Sequence, residues 1–153
     1  MKLGKLISLI LLIRPKQWLK NVFVFAAILF AGQLLNLHLL LINIVAFLAF
    51  CGVSGLTYII NDITDIEADR IHKKKRFRQL ASGEVTINEA KVFFVILAVL
   101  TTILCYKLGL YFSTIVIIYF VINLLYSLWV KNIVIVDVFF ISFGFMLRVI
   151  AGA

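Results

Sequence analysis

Apolar stretches about as long as a bilayer is thick dominate this sequence, and few folds can absorb them. Five follow one another, at residues 18–35, 37–60, 89–106, 110–130 and 133–153. A helix rises 1.5 Å per residue, so roughly 20 residues cross the ~30 Å hydrocarbon core. The 153 residues are 64% hydrophobic and only 14% charged, against about 45–50% and 25% in soluble domains. A water-soluble domain of this size has no core large enough to hide that surface. In lipid every backbone polar group needs an internal partner, and helices supply one. The pattern predicts an all-α, polytopic transmembrane helix bundle of about five spans, in a single domain over residues 1–153.

The first 17 residues differ from the spans. Lys2, Lys5, Arg14 and Lys16 flank or interrupt the short apolar run of residues 6–13, and no small-residue cleavage site precedes a soluble domain. This segment reads as an interfacial amphipathic helix. Pro15 then suits a helix start and Trp18 the headgroup level. Orientation follows from the basic residues. The N-terminal segment, residues 70–78 and Lys131 fall on one side if the spans alternate, and only Lys107 falls on the other. The positive-inside rule places the first group, with the whole 61–88 connection, in the cytoplasm. The same distribution explains the net charge of +8 by topology and anionic lipid, and argues against a nucleic-acid partner. Cys51 and Cys105 lie within apolar runs without metal or disulfide spacing and read as small buried hydrophobes. No polar tail or turn signal follows the last glycine, so the chain reads as the N-terminal portion of a longer protein.

Four of the seven acidic residues fall between Asp62 and Asp69, where the second span leaves the membrane. Asp62, Asp65 and Asp69 are spaced i, i+3, i+7, within about 60° of one another on a helix. Asn61 lies at the edge of that face, and Glu67 points away. Three carboxylates on one face repel one another unless a cation sits between them. Oxygen ligands with retained waters suit Mg2+, which prefers a site shared with substrate phosphates. The face therefore predicts metal ligation by Asp62, Asp65 and Asp69 against a diphosphate, rather than a solvated helix end. Ionisable residues at membrane depth usually mark function.

Further candidates surround that face. Arg70, Lys75 and Arg78 belong to the basic stretch that follows, and one or two of them are expected on phosphate oxygens, with the rest on lipid. Asn123, Tyr126, Ser127 and Lys131 form a polar island at the end of the fourth span. Tyr126 and Lys131 lie level with the aspartates, and Lys131 is placed to neutralise a leaving diphosphate. Asp137 and Arg148 lie inside the fifth span, about three turns apart, and need partners or a wet cavity. His38 and His72 read as surface residues.

These residues resemble the UbiA superfamily of intramembrane transferases. Asn61, Asp62, Asp65 and Asp69 match that family's first aspartate motif, N-D-x-x-D-x-x-x-D, in full. The following loop is similar to H-P-x-K-x-x-R-P-x-A-S-G through His72, Lys75, Arg78, Ala81, Ser82 and Gly83, with Lys73 and Gln79 where that pattern has prolines. Residues 14–21 (Arg-Pro-Lys-Gln-Trp-Leu-Lys-Asn), residues 126–131 with Asp137, and residues 144–152 resemble the decaprenyl-phosphate phosphoribosyltransferase-like branch. The resemblance implies the N-terminal half of a nine-helix bundle with two aspartate motifs, of which this chain carries the first. The isolated chain is then expected to turn over little.

The resemblance also implies an enzyme of the bacterial cytoplasmic membrane with its site on the cytoplasmic face. Asp62, Asp65 and Asp69 would hold Mg2+ against a diphosphate-containing donor, supported by Asn61, with Lys131, Arg78 and Arg148 on phosphate. The leading expectation is phosphoribosyl transfer from phosphoribosyl diphosphate to a lipid-linked polyprenyl phosphate. The runner-up is transfer of a polyprenyl group from its diphosphate to an aromatic or quinone-precursor acceptor. A different class is an inactive fragment or a non-enzymatic membrane subunit.

Overall fold

A computed structural model describes residues 3–127 and 134–153, with side chains for residues 4–127 and 138–153. Helix α1 (Leu3–Leu12) precedes a 3-10 helix (Pro15–Phe25) that runs into α2 (Ala26–Phe30). Helices α3 (Leu37–Thr64) and α4 (Ile66–Ile71) follow, then a single 3-10 turn (Lys75–Phe77). Helices α5 (Ile87–Leu108), α6 (Leu110–Leu125) and α7 (Val134–Ala151) complete the chain. The expected all-helical architecture is present, and no strand occurs among the described residues.

Helix α3 is the axis of the bundle. Asn36 caps it by accepting from the Leu39 amide at 3.4 Å, which satisfies one of the otherwise unpaired amides of the first turn. Residues 49–57 are buried almost without a break, so this stretch has no lipid-facing side. Its 28 residues rise about 42 Å, more than a bilayer core needs, and the last turns carry Asn61 and Asp62 past the apolar zone. Helix α5 starts at a capping box, with Glu89 Oε2 accepting from the Thr86 amide at 2.8 Å and Thr86 Oγ1 accepting from the Glu89 amide at 3.3 Å. Helices α3 and α5 are each long and apolar enough to cross a membrane, and α6 and α7 are shorter apolar helices. The second and third spans thus agree with expectation to within four residues at each end.

The first span departs from expectation. An α-helix over 18–35 is replaced by eleven residues of 3-10 helix and one short α-helix. The packing supplies the reason. A 3-10 helix repeats every three residues, and Trp18, Asn21 and Val24 form such a row, with Asn21 and Val24 fully buried. The rise of about 2.0 Å per residue also lets residues 15–30 extend roughly 30 Å, the depth of the hydrocarbon core, where sixteen α-helical residues would reach only ~24 Å. The fourth span ends its regular helix at Leu125, and residues 128–133, including Lys131, lie outside the described residues.

Two apolar clusters hold the bundle. One joins Val24, Phe50, Val53, Phe112, Val116, Tyr119 and Leu147 at its centre. The other seats α1 on the end of the bundle where α3 finishes, with Leu9, Leu12 and Ile13 against Ile59, Leu80, Val85 and Ala90. Helix α1 turns Leu6, Ile7, Ile10 and Leu11 outward, so both faces are apolar and its outer face suits the lipid boundary. Lys5 ties it to α5 by donating to the Glu84 carbonyl and pairing with Glu89, each at 2.7 Å.

Apolar burial gives little drive between helices in lipid, so close approach at small residues matters more. A Cβ on Gly52 would lie 2.2 Å from Thr101 Oγ1 on α5. Gly52→Ala is expected to cost about 1–3 kcal/mol by overpacking, read as a lower midpoint in a detergent thermal melt. Thr101→Ala in the same chain should recover most of the loss, because the two positions share one contact.

Candidate active site at the end of the central helix

The aspartate motif straddles a break. Helix α3 ends at Thr64, Asp65 occupies a turn with φ −95° and ψ 6°, and α4 begins at Ile66. The expected single helical face over 61–69 is therefore two short faces hinged at Asp65. Backbone bonding nearly bridges the hinge, since the Asp65 amide donates to the Asn61 carbonyl at 3.0 Å and the Asp69 amide to the Asp65 carbonyl at 2.8 Å.

Asp62 and Asp69 are both 2% exposed, and arginines account for that burial. Arg78 donates from one nitrogen to Asp69 Oδ2 at 2.6 Å and to Asp62 Oδ1 at 3.3 Å. Arg14 donates to the same Asp62 oxygen while lying over the Tyr58 ring at 4.7 Å. Lys75 Nζ stands 3.9 Å from Asp69 Oδ1, an oxygen that is buried and has no hydrogen-bond partner. Asn61 accepts from Ser127 Oγ at 2.7 Å, which draws the end of α6 to the same place. Tyr126 is half-buried there, its ring 5.7 Å from that of Phe140.

Sequence-expected residues thus divide. Asn61, Asp62, Asp69, Lys75 and Arg78 come together, with Asp65 half-buried at the hinge between them. Arg70 turns outward and pairs with Glu67 at 2.8 Å, both well exposed. Arg148 lies deeper, linked through the Tyr119 hydroxyl to Ser54, which is two turns, or about 12 Å, inward of Asp62 along α3. Its guanidinium donates to Asn21 Oδ1 at 2.8 Å, the Gly144 carbonyl at 2.7 Å and the Tyr119 hydroxyl at 2.7 Å. The Tyr119 ring sits 4.7 Å below it. These neutral partners and aromatic faces let a cation persist at membrane depth. Lys131 lies outside the described residues, as does the side chain of Asp137. Cys51 and Cys105 are buried and free, as expected.

Arg14 is the site residue that sequence reasoning passed over as part of the basic N-terminus. Nothing in its spacing shows that it reaches a residue 48 positions on. Its backbone is left-handed, with φ 50° and ψ 66°, and it precedes Pro15. Such a conformation costs a non-glycine residue about 1–3 kcal/mol and persists only where surrounding contacts enforce it. Here the Asp62 pairing and the Tyr58 ring do so.

The residues were tested for their fit to a divalent cation. Among the described residues no three acidic, histidine or cysteine side chains converge closely enough to form a cage. Asp62 and Asp69, by contrast, are near enough to share one guanidinium nitrogen, and Asp69 Oδ1 is an orphaned buried acceptor. This donor set fits a cation that takes its remaining oxygens from outside the protein, as Mg2+ commonly does.

Residues 20–153 match the family model described as the UbiA prenyltransferase family, and the chain belongs to that family. It is 37% identical over 144 residues to a protein of Corynebacterium glutamicum named decaprenyl-phosphate phosphoribosyltransferase, covering 92% of this chain and 43% of that one. A protein of the same name from Mycolicibacterium smegmatis is 36% identical over 149 residues, covering 95% and 47%. Digeranylgeranylglyceryl phosphate synthase of Methanocaldococcus jannaschii is 39% identical over 69 residues, 45% of this chain. A solved structure, described as giving insights into digeranylgeranylglyceryl phosphate synthase in membranes, matches with a TM-score of 0.79 at 28% identity. It covers 97% of this chain and 52% of that one. The chain spans about half the length of the curated relatives it matches. The family likeness and the apolar helices together define an integral membrane helix bundle.

The loop carrying Arg78 is held at two points, by Leu80 and Val85 in the core and by the arginine on the carboxylates. Asp69→Asn removes the stronger of the arginine's two partners, a charged hydrogen bond worth about 1.5–3 kcal/mol. Amide exchange at Ser82, Gly83 and Val85 should then speed up at least several-fold, while that of α3 stays unchanged.

Proposed function

We propose that this protein works as a membrane transferase that displaces diphosphate from a donor, with phosphoribosyl diphosphate as the donor and a polyprenyl phosphate as the acceptor. The observation that carries the reading is the pairing of two buried carboxylates through Arg78, with Arg14 and Lys75 alongside. Carboxylates and cations interleaved in this way suit a metal-bound diphosphate, whose oxygens need both. Asp62 and Asp69 would hold Mg2+, Asp65 would join them by turning in from the hinge between α3 and α4, and Asn61 would fix the end of α3. Bound there, the metal would act as a Lewis acid on the departing diphosphate.

The chain's own residues do the rest. An acceptor phosphate oxygen forms a bond to the anomeric carbon as the bond from that carbon to diphosphate breaks, and the electron pair leaves with the diphosphate. Arg78 and Lys75 stabilise the charge that builds on that leaving group. Lys131 and Tyr126, at the end of the fourth span, are assigned to the same leaving group. Arg70 and Arg148 are given weaker roles in binding, since one faces outward and the other is engaged inside the bundle. The site faces the cytoplasm of a bacterial inner membrane, in keeping with the basic N-terminus and loop.

A prenyl transfer to an aromatic or quinone-precursor acceptor is the second reading, its prenyl-transfer part favoured by the family's name. In sequence, the relatives named phosphoribosyltransferase match over 92% of the chain or more at 36–37% identity. The synthase of Methanocaldococcus jannaschii matches over 45%, and the solved synthase structure covers 97% at only 28% identity. This difference favours the phosphoribosyl reading. Radiolabel should pass from phosphoribosyl diphosphate into the lipid fraction with polyprenyl phosphate present. Transfer from prenyl diphosphate to an aromatic acid instead would establish the second reading. Asp65→Ala in the full-length enzyme should lower turnover by about 100-fold or more while membrane insertion is unchanged, and wild-type-like turnover would remove the metal role.

A further inference from the structure

Asp62 and Asp69 make two negative charges, and three cationic side chains stand on them: Arg14, Lys75 and Arg78. With Asp65, the third carboxylate of the proposed metal site, these six side chains sum to zero, so the cluster has no net negative charge to draw in a cation. A hydrated divalent cation arriving alone would meet an already neutralised site whose best oxygens, Asp62 Oδ1 and Asp69 Oδ2, are engaged by arginines. Entry would require displacing those arginines from the carboxylates that now hold them.

Diphosphate changes this balance. It brings about three negative charges and a set of oxygens that the arginine fork matches as well as it matches carboxylate. Arg14 and Arg78 then have somewhere to go, and the carboxylate oxygens they release become free for the cation. Arg14 and Arg78 approach from opposite directions in sequence, 48 residues before Asp62 and 16 after it, so the pairing is made by the fold. The Asp62 pairing and the Tyr58 ring keep Arg14 in a left-handed backbone conformation that the residue before a proline otherwise disfavours.

We propose that Arg14 and Arg78 act as resident counter-cations that close the aspartate site to a bare divalent cation and admit it together with diphosphate. The inference rests on the metal–diphosphate reading above and adds to it a binding order and a role for Arg14. By linkage, diphosphate raises the affinity for the cation and the cation raises that for diphosphate by the same factor.

Equilibrium dialysis of the purified protein in lipid nanodiscs, with radiolabelled Mn2+ at a buffered free concentration, tests this with and without inorganic diphosphate. The wild-type protein should bind Mn2+ at least about tenfold more tightly when diphosphate is present. Arg14→Gln and Arg78→Gln should each tighten binding of Mn2+ alone and shrink the diphosphate enhancement. Arg14→Lys keeps the charge and should still exclude the bare cation, which separates charge from folding damage. If wild-type protein takes up Mn2+ equally well without diphosphate, or if the glutamine variants behave as wild type, the counter-cation role is wrong while the metal site stands. If no variant binds Mn2+ under either condition, both this role and the metal–diphosphate reading fall.

Discussion

Two carboxylates buried at the end of a membrane helix bundle cannot stand uncompensated, and the end of this protein that carries the aspartates is organised around that requirement. Removing a charge from water costs several kcal/mol even after relaxation. The protein meets that cost at Asp62 and Asp69 with arginines drawn from both sides of α3 in sequence. As a result the N-terminal segment, the central helix and the basic loop converge on one point. Leu80 and Val85 then plug the loop into the apolar cluster beneath α1, so loop placement and charge neutralisation reinforce each other.

A second polar centre lies deeper and follows a different rule. Arg148 meets a side-chain amide, a backbone carbonyl and a phenol, and the rings of Phe50, Tyr119 and Phe145 lie within 6.0 Å of its guanidinium. Tyr119 lies 3.3 Å from Ser54 on α3, and Asn21 donates to Cys51 at 3.3 Å. Four segments are joined through one cation where apolar burial gives little preference for one neighbour over another. The row of side chains at intervals of three along the first span carries its middle member, Asn21, into this centre, which ties the 3-10 conformation to the hydrogen bond between Asn21 and Arg148.

The two centres divide the labour. The deep one fixes how the helices pack, using neutral partners that leave its cation engaged. The boundary one presents charges whose partners are exchangeable, because carboxylate and phosphate offer an arginine similar geometry. A site built from exchangeable ion pairs suits a ligand that is itself a cation–anion pair, and this complementarity links the fold to the chemistry proposed for it.

Much of this was legible in the residues. Hydropathy and length placed α3 and α5, because a spanning helix needs only a long enough apolar run and no knowledge of its neighbours. The spacing of Asp62, Asp65 and Asp69 pointed to a candidate site at the end of α3, since helical period is a local property, and the motif tied the chain to its family. The tertiary structure decided what local period cannot. An apolar run does not distinguish a 3-10 from an α-helix, so the first span took its form from the face it buries. The break at Asp65, the reach of Arg14 to Asp62 and the inward place of Arg148 all arise from contacts between residues far apart in the chain. Those contacts exist only once the helices have packed and charges cut off from water have found their partners.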